Sequence, residues 1–271
     1  MNPNRELWEK GDFTKLADTM RESSSELVSK LGIKPGMEVL DVACGDGDTA
    51  IPAAKLGANV TGVDISRNLV KAANLRAEKE GVADHCKIFE GDVMDLKDQQ
   101  DGSFDLTISI FGAMFAPRPF DVAKELVRVT RKGGRIVMGN WIPGDPTLVA
   151  QILKVCSAYT PPPPEGFISP MLWGVGSHVT ERFMSAGIPK ENISCEKETF
   201  TFIADYSPLV FLSNFRNYYG PTMNAFEAAE KNGKADALQQ ELEALFISEN
   251  KSGNENTTYI PVTFLKVTVN R

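Results

Sequence analysis

The stretch Val39-Leu40-Asp41-Val42-Ala43-Cys44-Gly45-Asp46-Gly47-Asp48-Thr49 decides how this chain is read. A short apolar strand runs into a loop of small residues, and Asp48 or Thr49 suits the start of a helix. Gly45 and Gly47 lack side chains, so a ligand can lie against bare backbone there. The spacing departs from the dinucleotide pattern Gly-x-Gly-x-x-Gly, because Ala50 stands where the third glycine would be. Asp41 sits just before the loop. A carboxylate at that place repels a pyrophosphate and attracts an ammonium group, which favours a cofactor with an amino-acid tail over a nicotinamide dinucleotide.

Further strands follow at Val60 to Val63, Lys87-Ile88-Phe89, Phe104 to Ile110 and Arg135 to Gly139. Between them, Ser66 opens a helix through about Glu80, closed by Gly81. Pro119 opens another that carries Val122, Ala123, Leu126 and Val127 on one face, with Gly133-Gly134 ending it. Upstream, Phe13 to Leu31 reads as one helix, with Leu16, Met20, Leu27 and Leu31 at helical spacing. Strands alternating with helices predict an α/β fold, a parallel sheet covered on both faces. Beyond Trp141 the pattern changes. Pro161 to Pro164 is a stiff extended turn. Asn192 to Ile203 and Thr257 to Val269 read as two strands added at the sheet edge, and Ser207 to Tyr219 and Ala225 to Phe246 as helices. The expected organisation is a helical lid over 1–32 and a domain over 33–271, with cap insertions at about 141–190 and 205–256 returning over the carboxyl edge of the sheet.

Two more carboxylates end strands. Asp64 stands seventeen residues beyond Gly47, where it can accept both hydroxyls of a ribose. Asp92, after Gly91, can accept from an exocyclic adenine amine, with Val93 beside the ring.

Together these segments resemble the motifs of class I, Rossmann-like S-adenosylmethionine-dependent methyltransferases. The loop resembles their Asp-x-Gly-x-Gly-x-Gly motif, with Ala43 in place of the first glycine, as in members of the ubiquinone/menaquinone-biosynthesis type. Val63-Asp64-Ile65, Gly91-Asp92-Val93, Phe104-Asp105 and Arg128 to Arg135 follow in the family's order, so the resemblance covers about residues 30–140. It implies a seven-stranded, mostly parallel sheet and S-adenosylmethionine as cofactor. Asp41, Ala43, Gly45 and Gly47 would hold the methionine part, Asp64 and Ile65 the ribose and adenine, Asp92 and Val93 the adenine edge. Ser109, Ile110 and Phe111 would line the point of transfer. Ser109-Ile110-Phe111-Gly112 stands where methyltransferases of base amino groups carry Asn/Asp-Pro-Pro-Tyr/Phe, which argues against that substrate class.

Methyl transfer from a sulfonium is an in-line displacement, so the protein mainly positions and desolvates. His178 and Tyr219 are the candidates for a general base toward a hydroxyl acceptor. Each has a plain alternative, a histidine at a helix start and a tyrosine at a helix end. Phe111, Met114, Phe115, Trp141 and Trp173 read either as walls of an apolar acceptor pocket or as core of the cap. Arg216 reads as a carboxylate-binding group or a surface ion pair, and Trp8 as a lid over the cofactor or a staple of the first helix.

Composition narrows the function classes. The 271 residues carry a net charge of −7, which speaks against nucleic-acid partners. Four separated cysteines without Cys-x-x-Cys, and two histidines, predict reduced thiols and no metal site. A polar Met1 to Lys10 and no apolar run of roughly 20 residues point to a cytoplasmic protein without signal peptide or membrane span. The expected enzyme methylates a small organic molecule, with oxygen ahead of carbon or nitrogen. Alternatives are a methyltransferase of protein or RNA, a cofactor-binding module without turnover, and a nicotinamide oxidoreductase. Monomer and homodimer both stay open.

Overall fold

A computed structural model describes residues 5–271. Its elements run α1 (Arg5–Glu9), α2 (Thr14–Ala17), α3 (Arg21–Ser29), β1 (Glu38–Val42), α4 (Ala50–Lys55), β2 (Asn59–Asp64), α5 (Arg67–Lys79), β3 (Cys86–Glu90), β4 (Phe104–Ile110), α6 (Pro119–Val129) and β5 (Thr130–Trp141). Then come α7 (Leu148–Ser157), α8 (Gly176–Ser185), β6 (Ile193–Ala204), α9 (Pro208–Tyr218), α10 (Gly220–Lys231), α11 (Ala235–Glu249) and β7 (Thr258–Asn270). The sheet order is β3-β2-β1-β4-β5-β7-β6. Pairs from β3 through β5 are parallel, and β7 runs antiparallel between β5 and β6. This is the seven-stranded, Rossmann-like α/β architecture the motifs imply.

Local chemistry accounts for the elements. From Val39 to Val42, β1 is wholly buried, as a central parallel strand covered on both faces must be. Pro119 takes the first turn of α6, and Val122 and Leu126 are fully buried on its inner face, each worth about 1.5–3 kcal/mol of transfer free energy. Ser207 caps α9 by accepting from the Val210 amide at 3.3 Å.

Three elements differ from the sequence reading. The expected helix Phe13 to Leu31 breaks into α2 and α3, because the Thr19 carbonyl accepts from the Ile203 amide (2.9 Å) instead of continuing the helical ladder. The expected helix Ala225 to Phe246 divides at Gly233, whose φ of +66° ends α10. The fifth strand starts at Thr130, before Gly133-Gly134, so that pair lies inside β5 rather than ending α6.

The cap also differs in extent. From the first insertion α7 packs on α10, α11 and β7, whereas α8 packs on α6 and β6, against the sheet. The second insertion, α9 to α11, stays with α7. The N-terminal segment joins this group, α2 against α9 and α1 against α10.

The chain reverses direction across the sheet between β1 and β4, the switch point at whose carboxyl ends open α/β sheets bind ligands. The two loops leaving these strands touch. A Cβ on Gly112 would stand 2.3 Å from the Ala43 carbonyl oxygen and 2.7 Å from the Ala43 Cβ. Gly112→Ala is therefore expected to lose about 1–3 kcal/mol to overpacking. Urea unfolding checks this, and wild-type stability would show that the loops can separate without cost.

Candidate active site

Above this switch point lies a cavity of about 1230 Å³ that is open to solvent. One side is the loop Ala43 to Thr49. Ala43 has φ +52°, unusual for a residue with a side chain, and Gly45 has φ +57° with nothing within 4 Å of where a Cβ would point. Asp64, buried at the end of β2, accepts from the Gly45 amide (2.8 Å) and the Ser66 amide (2.9 Å). These bonds fix the loop to β2, while burial raises the Asp64 pKa above the ordinary carboxylate value. Asp92 holds the turn after β3 by accepting from the Met94 amide (2.9 Å). Ala43, Gly45, Asp64, Ile65, Asp92 and Val93 all line the cavity.

The opposite wall is aromatic. Phe111, with φ +59°, stacks on Trp141 at 3.7 Å between ring centres and 7° between planes. Phe200 and Phe264 meet the Phe111 ring edge-on at 5.1 and 5.3 Å. Trp8 packs against Phe115 (5.0 Å), Tyr219 (6.0 Å) and Phe13 (6.1 Å). Trp8, Phe111, Phe115, Trp141 and Tyr219 line the cavity, and burial raises the Tyr219 phenol above its ordinary pKa.

Other expected site residues lie elsewhere. Asp41 is buried beneath the loop. Thr49, rather than capping α4, donates to its Oδ2 at 2.5 Å, and among the described residues its Oδ1 has no hydrogen-bond partner. Gly47 is buried within the turn. Ser109 is a staple: its hydroxyl donates to the Val42 carbonyl and accepts from the Ala113 amide, both at 2.9 Å. Met114 is buried outside the lining. His178 does not reach the cavity, because it rides on α8 beside the sheet, with Glu181 at 3.8 Å. Trp173 is buried against Phe183, with the Arg182 guanidinium 4.5 Å over its ring. Arg216 lies over Phe226 at 4.4 Å, bonds Gln239 (3.0 Å) and faces Glu230 (3.6 Å), so it is a partnered cation away from the cavity.

Sequence reasoning missed much of the wall. Phe13, Leu16, Ala17, Met20 and Ser24 line it from the N-terminal segment, and Val149 and Phe202 from α7 and β6. The spacing Leu16, Met20, Ser24 marks one helical face, but a buried helix face looks the same whether it meets core or cavity. Asp46 and Asp48 also line the cavity, paired with Arg21. Among the described residues the cavity lining holds no Lys, Arg or His. No cluster of metal-ligating side chains occurs among them, nor any helix long and apolar enough to cross a membrane.

Comparison with known proteins follows this geometry. A family described as a methyltransferase domain matches residues 40–138. An uncharacterised protein of Mycobacterium tuberculosis is 32% identical over 226 residues, 83% of this chain and 80% of its own length. A sterol 24-C-methyltransferase of Gibberella zeae is 41% identical over 120 residues, 44% of this chain and 31% of that protein. Among solved structures, an N-methyltransferase of Haemonchus contortus, in complex with phosphomonomethylethanolamine and S-adenosylhomocysteine, is similar with a TM-score of 0.61. It is 16% identical, and the match covers 100% of this chain and 60% of that one.

Asp41 carries a consequence for stability. Burial first, then the nearby Asp64 and Asp48 carboxylates, push its pKa up to about 7, against the Thr49 hydrogen bond. An unfolded aspartate titrates near 3.9. Protonated Asp41 therefore favours the fold fully below about pH 4, and that contribution is lost as pH rises through about 7. Asp41→Asn, which cannot ionise, is expected to gain melting temperature relative to wild type between about pH 5 and about pH 8. A pH-independent difference in melting temperature would show that Asp41 is not shifted.

Proposed function

This chain belongs to the class I S-adenosylmethionine-dependent methyltransferases, and we propose that it methylates a small, uncharged, largely apolar acceptor. The observation that carries this reading is one cavity with two unlike walls, carboxylates and bare backbone on one side and aromatic rings on the other.

The first wall fits the cofactor. The open space over Gly45 leaves room for its methionine part against the loop. Asp64 retains lone pairs for ribose hydroxyls beyond the two amides it binds. Ile65 and Val93 would flank the adenine, with Asp92 at its edge. The bound cofactor supplies a methyl group on a positively charged sulfur.

The second wall sets the acceptor class. With no cation in the described lining, a phosphate or carboxylate would be desolvated there without a partner. Phe111, Phe115, Trp141, Phe202 and Phe215 suit a flat or hydrocarbon acceptor instead. The N-terminal segment and the cap enclose this half, which favours a small molecule over a protein or RNA acceptor.

Among the described residues, neither candidate base serves the acceptor half. His178 is remote, and Tyr219, its pKa raised by burial, is a neutral phenol at physiological pH. This reverses the preference for oxygen drawn from the sequence. A carbon acceptor would contribute its own π electron pair to the new carbon–carbon bond as the methyl–sulfur bond breaks, and would afterwards lose a proton to water at the open mouth of the cavity. The aromatic rings that line this wall would stabilise positive charge developing on the acceptor. The likeness to a sterol C-methyltransferase supports this choice. The chain's own contribution is to align acceptor carbon and methyl group and to exclude water.

Calorimetric titration with S-adenosylhomocysteine tests the cofactor half. Asp64→Ala is expected to weaken binding by roughly 1.5–3 kcal/mol, about ten- to a hundredfold. A folded wild type that does not bind would refute the reading. His178→Ala is expected to leave methyl transfer to any acceptor found in a screen of alkenes, phenols and amines unchanged. A loss of turnover (kcat) of tenfold or more in that variant would return His178 to the site.

A further inference from the structure

Arg21 was not among the residues singled out by motif, and it lies outside the cavity lining. It opens α3 and reaches across to the cofactor loop. Its Nη1 donates to Asp46 at 2.9 Å and also to Asp48, its Nη2 to the other oxygen of Asp46, and Asp18 stands at 3.2 Å. Asp46 is 3% exposed. Behind the pair, Arg76 donates to the Asp46 carbonyl (3.3 Å) and stands 3.5 Å from Asp48, while Ser24 donates to Asp48 at 3.4 Å.

The two carboxylates are two residues apart in the loop and both line the cavity. Buried like charges this close repel each other, and both would repel the carboxylate on the amino-acid tail of a cofactor lying on this loop. Arg21 neutralises them through a two-pronged grip that only a guanidinium provides. The same segment, α2 and α3, supplies Leu16, Ala17, Met20 and Ser24 to the cavity wall. The segment also packs on α9 and α4, and hydrogen bonds tie it to β6, where Ser23 donates to the Thr201 carbonyl (2.8 Å) and the Thr19 carbonyl accepts from Ile203 (2.9 Å). Arg21 is thus where this wall is joined by charge to the loop beneath it.

We infer that Arg21 is a positioning residue for the cofactor, acting through Asp46 and Asp48, and that it makes closure of the N-terminal wall and cofactor binding one event. The inference rests on the reading that the loop Ala43 to Thr49 holds the cofactor. Loading the loop orders the wall, and the wall completes the aromatic chamber, so the acceptor binds after the cofactor.

The test is titration of S-adenosylhomocysteine into wild type, Arg21→Gln, Arg21→Lys, Asp48→Asn and the double variant Arg21→Gln/Asp48→Asn, with melting temperatures alongside. Arg21→Gln is expected to weaken binding about tenfold or more, and Arg21→Lys by a smaller factor. The double variant binds more tightly than Arg21→Gln alone, because one of the unneutralised carboxylates is gone. A destabilisation without specific coupling predicts the opposite order for that pair. Limited chymotrypsin digestion reads the wall: S-adenosylhomocysteine slows cleavage at Trp8 and Phe13 in wild type and not in Arg21→Gln. Binding of Arg21→Gln within twofold of wild type, or a double variant no better than the single, overturns the inference. Should Arg21→Gln fail to fold, Arg21→Lys decides, and wild-type affinity in it overturns the inference. If Asp64→Ala also binds like wild type, the fault lies in the placement of the cofactor. If Asp64→Ala binds weakly while Arg21→Gln does not, only the role of Arg21 fails.

Discussion

Everything in this protein depends on the contact between two loops at the carboxyl ends of β1 and β4. Gly112 lies so close to Ala43 that no side chain fits between them. On either side of that contact stand Ala43 and Phe111, the two non-glycine residues of positive φ among the described residues. Backbone held in this region costs of order 1–3 kcal/mol and persists only where the surroundings enforce it. The enforcement is visible: Ser109 bonds both the end of β1 and the turn after β4, and the Phe111 amide donates to the Gly139 carbonyl at 2.9 Å. The strain on Ala43 shapes the cofactor loop, and the strain on Phe111 lays its ring flat on Trp141. One contact therefore sets both halves of the cavity and their separation.

The two halves obey opposite physics. Around the loop, polar groups are buried and mostly bonded, so position is fixed by directional contacts whose loss is costly. Along the aromatic wall, position comes from shape alone, and rings meeting edge-on and face-on leave few polar atoms to specify orientation. Such a division suits a reaction in which the donor is invariant and must be held rigidly, while the acceptor must be dried and aligned.

The fold and the residues of the loop-side wall were legible in the sequence because their signals are local. Strand, glycine turn and terminal carboxylate recur within a few residues at Asp41, Asp64 and Asp92, and the chemistry of each follows from its place at a strand end. Even so, Asp41, Gly47 and Ser109 serve the loop from beneath rather than facing the cavity, a distinction that alternation along a strand does not reveal. The acceptor half was less legible. Trp141 and Trp173 look alike in sequence, yet one lines the cavity and the other is buried against Phe183 of α8, which packs on α6. Arg21 and the acidic pair Asp46 and Asp48 are 25 and 27 residues apart. No periodicity links them, and only the folded chain shows that they neutralise one another.

The ties between the N-terminal wall and β6 have a consequence for biosynthesis. Ser23 bonds Thr201, which is made 178 residues later. At about 5–20 residues per second, that is a wait of roughly 10–35 s. Meanwhile the central strands and their helices are already available to pair, and α3 can pack on α4, whereas Thr19 and Ser23 have no β6 to bond. The segment translated early thus completes its docking only when β6 arrives. A chaperone that shields apolar helices on the ribosome has a long window in which to hold it.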